Sequence, residues 1–386
     1  MKILKISIEN LPHFKKKMDI DFVAQQRVDS DDREYLLHAF SNIYTNPVLS
    51  FIGINASGKT TILKVLSFVI ELLNNKPINS IESKEILDDM ESGQHVTFSS
   101  FFYHEGILYK LETSIGKKES PVDGSTKFII LDETLRSKEI SRINTKKSLY
   151  HFENANWERS RNKNEEYLME DVSIIVALNK KQDTKSFLFD MSKLTDHNML
   201  NVLGRYPKEI LTFLDPSIEY LDCRPGDKKD DIKLKFYGRN EINLNSLLEL
   251  NRYLSSGTIK GLSVFMGAVF AFQESGYLLV DELENHFNRE IVSTLVRFFM
   301  DKRINKNGAT LIFSTHYSEL LDEFERNDGI YIVRNRGGIT AENLSNILKR
   351  NDIKKSEIYD SGFLKGTVPA YEAYIVLKRA LIKINR

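Results

Sequence analysis

The chain has 386 residues, 41% hydrophobic and 28% charged, with 54 basic and 54 acidic side chains and a formal net charge of zero. That length allows two or three domains, or one with a large insertion, and the balanced charge removes a strongly basic domain as an argument for nucleic-acid binding. One cysteine, Cys223, excludes an intramolecular disulfide framework and a cysteine-rich metal site, and no apolar run is long enough to span a membrane.

The opening "MKILKISIEN" alternates and lacks the apolar core of a signal peptide, so a cytoplasmic protein is expected. Residues 3–11 and 17–23 alternate apolar and polar side chains and predict two antiparallel strands. The basic clusters Lys15-Lys16-Lys17 and 144–148 read as solvated loops. A compact apolar strand, "PVLSFIG" (47–53), precedes a glycine-containing turn and a helix-spaced run over 59–75.

Residues 76–250 are less regular. Two strands joined through Glu105-Gly106 are expected over 95–116, and a third over 127–137. Helical stretches are expected within 163–181 and 207–223. "LNKKQDTKSFLF" (178–189) reads as a solvated helix end running into a core strand. From 254 the alternation becomes regular. Helix 259–275 leads to strand 277–282, helix 288–303 (with Asn288 as N-cap) to strand 309–316, and helix 318–325 to strand 329–335. Strand alternating with helix predicts right-handed crossovers and a mostly parallel sheet.

These elements predict an α/β P-loop fold with a mostly parallel sheet, antiparallel N-terminal strands and a mixed α+β insertion. The expected division is 1–80 and 246–386 for the two halves of the nucleotide domain, with 81–245 between them.

"GINASGKT" (53–60) is a full G-x-x-x-x-G-K-[ST] motif lying between a predicted strand and a predicted helix, the context it requires. Gly53, Asn55, Ala56, Ser57 and Gly58 shape a loop whose backbone N–H groups face phosphate. Lys59 reaches the β- and γ-phosphates, Thr60 offers its hydroxyl to Mg²⁺, and Thr61 follows in the first helical turn. The expected ligand is therefore ATP with Mg²⁺.

Two apolar runs end in Asp-Glu. In "YLLVDELENH" (277–286), Asp281 is placed to hold magnesium and Glu282 to polarise the attacking water. Upstream, "LSSGT" (254–258) opens a helix with small residues, Ser255 and Gly257 among them, and makes an anion site; downstream, His316 closes a strand as a hydrogen-bond donor to the γ-phosphate. "FIILDETL" (128–135) has no such neighbours and reads as a half-buried strand whose Asp132 and Glu133 face solvent.

In their order, "GINASGKT", "LSSGT", "LLVDELENH" and "STH" resemble ABC-type ATPases, including SMC-like and OLD-like proteins. "LSSGTIKGL" and the tail 350–369 are similar to the AAA ATPases of bacterial phage-defence and abortive-infection loci, the RloA and AbiLi type and their relatives in the PARIS and Septu systems. The likeness covers roughly 1–75 and 250–369. It implies a homodimer or higher homo-oligomer with head-to-tail ATP sites, Ser255 and Gly257 of one protomer meeting the γ-phosphate held by Lys59 of the next. It departs at "LENHFN", where many relatives carry a Leu-His-Pro-like step, and in lacking a clear Q-loop glutamine; Gln94 is the nearest candidate.

His286 stands four residues after Glu282, a spacing used by metal ligands, but no third ligand is visible; a structural or interface role is the other reading. His13-Phe14 is either an approach to the adenine base or a plain hairpin tip. The tail 361–369 has glycines and a proline suited to a fixed turn. The function expected is an ATPase sensor or regulatory scaffold for a separately encoded effector, a nuclease or toxin, in anti-phage defence. The alternative is an SMC-like DNA-maintenance ATPase that binds duplex DNA with ATP, so nucleic acid stays possible as a partner; a membrane does not. A transporter nucleotide domain fits poorly, because the insertion between the motifs is too large.

Overall fold

The computed structural model describes all residues except 16, 120–123, 125, 144, 154, 156, 162–167, 183, 193–199, 201, 227–229, 369–370 and 385–386, and the side chain at 142. The chain divides into two compact units, 1–186 with 314–386, and 187–313. Residues 81–186, read from sequence as the start of an insertion, thus fall in the first unit and 187–245 in the second.

In the first unit the N-terminal strands are the start of a six-stranded antiparallel sheet. Its order is Lys17–Asp21, Lys2–Glu9, His95–His104, Ile107–Glu119, Thr126–Glu139 and Trp157–Ser160. Glu105 and Gly106 turn the central hairpin with φ of 44° and 81°, the paired left-handed geometry that matches the natural strand twist. One cluster of its buried side chains joins Leu4, Phe101 and Leu108 to Ile143, Leu149 and Phe152 from the segment after the fifth strand. Phe98 meets Phe68 of the helix Lys59–Leu73 at 5.2 Å between ring centroids. The first unit also holds the parallel pair Val48–Ile52 and Ile330–Asn335, continued antiparallel by Ile339–Asn343. All five side chains of Val48–Ile52 are buried, as expected for a strand covered on both faces.

The strand predicted at 127–137 forms, but Glu133 does not face solvent. Register shifts between Ser114 and Ile115, so Ile130 and Asp132 find partners and Leu131 is the extra residue of a bulge. Phe128 and Ile130 point inward before it, Glu133 and Leu135 after it, while Leu131 and Asp132 are both exposed. Glu133 is 0% exposed and accepts hydrogen bonds from Thr113 Oγ1 (2.6 Å), Ser173 Oγ (2.7 Å) and the Ile174 N–H (2.7 Å), with the Arg161 guanidinium at 3.8 Å. Burial pushes its carboxyl above the ordinary value, and these donors oppose that shift.

Other expectations change in detail. The helix expected over 318–325 is a short 3-10 turn, Ser318–Glu323. Within 163–181 the described helix is Val176–Gln182, and 163–167 lie outside the described residues. Lys147 is exposed, but Lys146 is turned inward and donates to the carbonyls of Ala24, Gln25 and Gln26. The tail is tied down by Arg334, which donates to Leu364 O (2.6 Å) and Lys365 O (2.8 Å). The helix Tyr371–Ile384 buries none of its side chains.

In the second unit, Leu188–Asp190, Tyr277–Val280 and residues 310–313 of the strand Thr310–Thr315 run parallel. A four-stranded antiparallel sheet, ordered Gly204–Arg205, Ile218–Arg224, Asp231–Phe236 and Ile242–Leu244, builds a separate core with Ile259 and Leu262 of the helix Ser256–Glu274. Asn288 caps the helix Arg289–Met300, accepting from the Ile291 N–H at 3.0 Å. Cys223 is buried in this unit's core, and burial with the nearby Asp222 and Asp230 charges pushes its thiol up to about 12.

Two outcomes are expected. Glu133→Gln sets an NH₂ among donors and should lower stability by about 1–3 kcal/mol. Because the folded carboxyl binds its proton more tightly than the unfolded one, wild-type stability falls as pH rises from the ordinary glutamate value through the raised one. The gap between wild type and variant should therefore shrink over that window in urea melts; a constant gap refutes the raised value. Cys223 should resist iodoacetamide at pH 8 in the native protein and react readily in urea.

Candidate functional site

The phosphate loop follows directly from the buried strand Val48–Ile52. Ala56 (φ 59°) and Gly58 (φ 99°) are left-handed, an arrangement that turns successive backbone N–H groups into one concavity. The helix Lys59–Leu73 starts there with no side-chain cap and no acidic residue in its first turn. Such a cap is worth about 1 kcal/mol. Eleven of the fifteen residues are buried, the apolar ones at about 1.5–3 kcal/mol each, so packing holds this helix without a cap. Its N-terminus keeps the donor set and positive dipole end that suit phosphate oxygens. Ser57 Oγ is buried without a hydrogen-bond partner among the described residues, a polar atom suited to the same ligand. Asn55 is exposed at the loop tip, while Thr60 and Thr61 are half-buried in the first turn.

Lys59 is only 6% exposed. Its ammonium donates to Gly53 O (3.0 Å) and Ile54 O (3.3 Å) and lies 3.4 Å from His316 Nδ1. An ammonium only donates, so Nδ1 is the acceptor side of this contact. The structure thus brings together Lys59 and His316, widely separated in sequence, within the first unit.

Gly58 is required twice over. Its φ is left-handed, and a Cβ there would lie 2.7 Å from Ile339 Cδ1. Ile339 is itself held by the 13–15 loop: its N–H donates to His13 O (2.7 Å) and its carbonyl accepts from the Lys15 N–H (3.1 Å). His13-Phe14 therefore flanks the residue that covers the phosphate loop, while the exposed His13 ring pairs with Asp89 at 2.6 Å. Gln94 is exposed and its amide bonds back to Glu91.

The acidic residues lie in the second unit. Asp281 is buried (5% exposed) just past the strand Tyr277–Val280, and Glu282 is half-buried with φ 45°. His286 is also left-handed, at φ 70°. Each such non-glycine residue costs about 1–2 kcal/mol, which neighbouring contacts must offset. They come from the start of the helix Ser256–Glu274. Ser255 caps it, its Oγ accepting from the Thr258 N–H at 3.0 Å, and a Cβ on Gly257 would lie 2.5 Å from His286 O. Ser256 Oγ meets His286 Nδ1 at 3.2 Å, and Lys260 Nζ donates to Glu282 O at 2.9 Å. Sequence reasoning overlooked Lys260. The available signal was its spacing: 256, 257, 260 and 261 share one helix face. His286 thus makes a loop contact with Ser256, and among the described residues no group of three or more His, Cys, Asp or Glu stands together.

Residues 48–322 match the family described as "AAA domain, putative AbiEii toxin, Type IV TA system". No curated protein matches the chain. No helix among the described residues is long and apolar enough to cross a membrane. With the matched region running from the strand before the phosphate loop to the turn after His316, the chain belongs to this AAA ATPase family of abortive-infection and type IV toxin–antitoxin systems.

Proposed function

We propose that the protein binds and hydrolyses MgATP and self-associates head to tail around the nucleotide, acting as sensor and regulatory scaffold for a separately encoded nuclease or toxin in anti-phage defence. The observation that carries the reading is the phosphate loop: left-handed Ala56 and Gly58, an uncapped helix N-terminus, and Lys59 held beside His316. The family adds the abortive-infection context.

In this reading the backbone of 53–60 binds the phosphates and Lys59 moves from the loop's own carbonyls to the β- and γ-oxygens. Thr60 and Asp281 would hold Mg²⁺, which would supply neutralising charge to the phosphate oxygens. Glu282 polarises the attacking water, and His316 donates from its ring N–H to the γ-phosphate. Ser255 and Gly257 meet the nucleotide of a second protomer, so turnover depends on assembly.

The expected results separate these roles. Lys59→Ala should lose nucleotide binding. Glu282→Gln should keep binding and lower turnover by about 10²-fold or more, and Asp132→Asn should change neither. Turnover per protomer should rise with protein concentration. A protein that stays monomeric with ATP at every concentration overturns the self-association, and equal loss in Asp132→Asn overturns the choice between the two acidic strands. Salt-sensitive duplex binding that strengthens with ATP selects the DNA-maintenance reading instead.

A further inference from the structure

Three residues on one face of the helix Ser256–Glu274, namely Ser256, Gly257 and Lys260, are committed to the loop after Asp281. Ser256 Oγ meets His286 Nδ1 at 3.2 Å, and Gly257 lies so close to His286 that a Cβ would sit 2.5 Å from its carbonyl oxygen. One turn later Lys260 Nζ donates to Glu282 O at 2.9 Å and lies 5.6 Å from the Phe287 ring centroid. A Cβ on Gly261 would meet Leu214 first, at 2.7 Å, and the same ring at 3.3 Å. The contacts of Ser256, Gly257 and the Lys260 hydrogen bond land on the two left-handed residues of the loop, Glu282 and His286. Elsewhere on the helix, Ile259 and Leu262 are packed in the core of the sheet at 204–244.

We propose that Lys260 is a positioning residue for Glu282, and that with the Ser256–His286 contact it links the state of the Ser255–Gly257 turn to the water-polarising carboxylate of the same protomer. The physical ground is geometric. The carbonyl that Lys260 holds belongs to Glu282 itself, so rotating that residue out of its left-handed conformation breaks the bond and swings the carboxylate away. Ser255 and Gly257 are on the turn that leads into Lys260, so an anion drawing on that turn shifts the ammonium with it. Phosphate engaged at the signature turn then fixes the base. The inference rests on reading Glu282 as the base, and it adds how the two ends of one protomer are made to agree.

The test uses the full chain with Lys260→Met, Lys260→Arg and His286→Ala. Three quantities are measured: affinity for a fluorescent non-hydrolysable ATP analogue, kcat and KM for ATP, and amide exchange over 281–287 with 59–73 as internal control. Lys260→Met should lower kcat by about tenfold with analogue affinity within about twofold, and should speed exchange at 283–287 only. Lys260→Arg, which keeps a donor, should recover most of both, and His286→Ala should speed exchange in the same segment. Unchanged exchange in Lys260→Met overturns the proposal, as does a fall in thermal stability and kcat that Lys260→Arg does not rescue. If the wild type shows no turnover, the hydrolysis reading falls, and the exchange comparison alone decides whether Lys260 positions the loop.

Discussion

Burying a lysine ammonium costs several kcal/mol unless its hydrogen-bond needs are met, and Lys59 meets them with the carbonyls of the loop it serves. That constraint reaches outward through the first unit. The carbonyls of Gly53 and Ile54 can face the ammonium only if the loop closes on itself, which needs left-handed Ala56 and Gly58. The missing Cβ at Gly58 admits Ile339, and Ile339 is fixed by main-chain bonds to the 13–15 loop. The N-terminal hairpin is therefore part of the phosphate loop's support.

The two Asp-Glu doublets show how one dipeptide acquires two meanings. Within a strand, neighbouring side chains alternate faces, so a doublet in mid-strand is divided between interior and surface. At 132–133 that is the result: Asp132 is exposed, and Glu133 is taken into a ring of hydroxyl, amide and guanidinium donors. At 281–282 the strand has already ended at Val280, and the left-handed Glu282 breaks the alternation. Position relative to the strand end, rather than the dipeptide itself, distinguishes them.

Much of this was legible in residue patterns because the signals were local. The strand–loop–helix unit around 53–60 announced itself by spacing, the Glu105-Gly106 hairpin by turn chemistry, and Asn288 by its place before a helix-spaced run. What escaped was set by tertiary partners. The bulge at Leu131 keeps Phe128 and Ile130 on one side of it and Glu133 and Leu135 on the other all buried, and nothing in "FIILDETL" alone states where the extra residue goes. Ser318–Glu323 carries a helical composition but closes as a 3-10 turn. Lys260 looked like an ordinary charged helix residue until the loop it holds was placed beside it. Lys146 looked solvated because its three carbonyl partners lie far away in sequence, at 24–26.

The division of the chain also bears on the order in which it is made. The second unit, 187–313, is continuous in sequence, whereas the first needs both 1–186 and 314–386. Val48–Ile52 leaves the ribosome long before Ile330–Asn335, one of its parallel neighbours. Closing so long a loop delays that pairing relative to contacts within 187–313. During synthesis the second unit can be complete while the strand that carries the phosphate loop still lacks that neighbour, leaving an apolar strand edge for chaperones to shield.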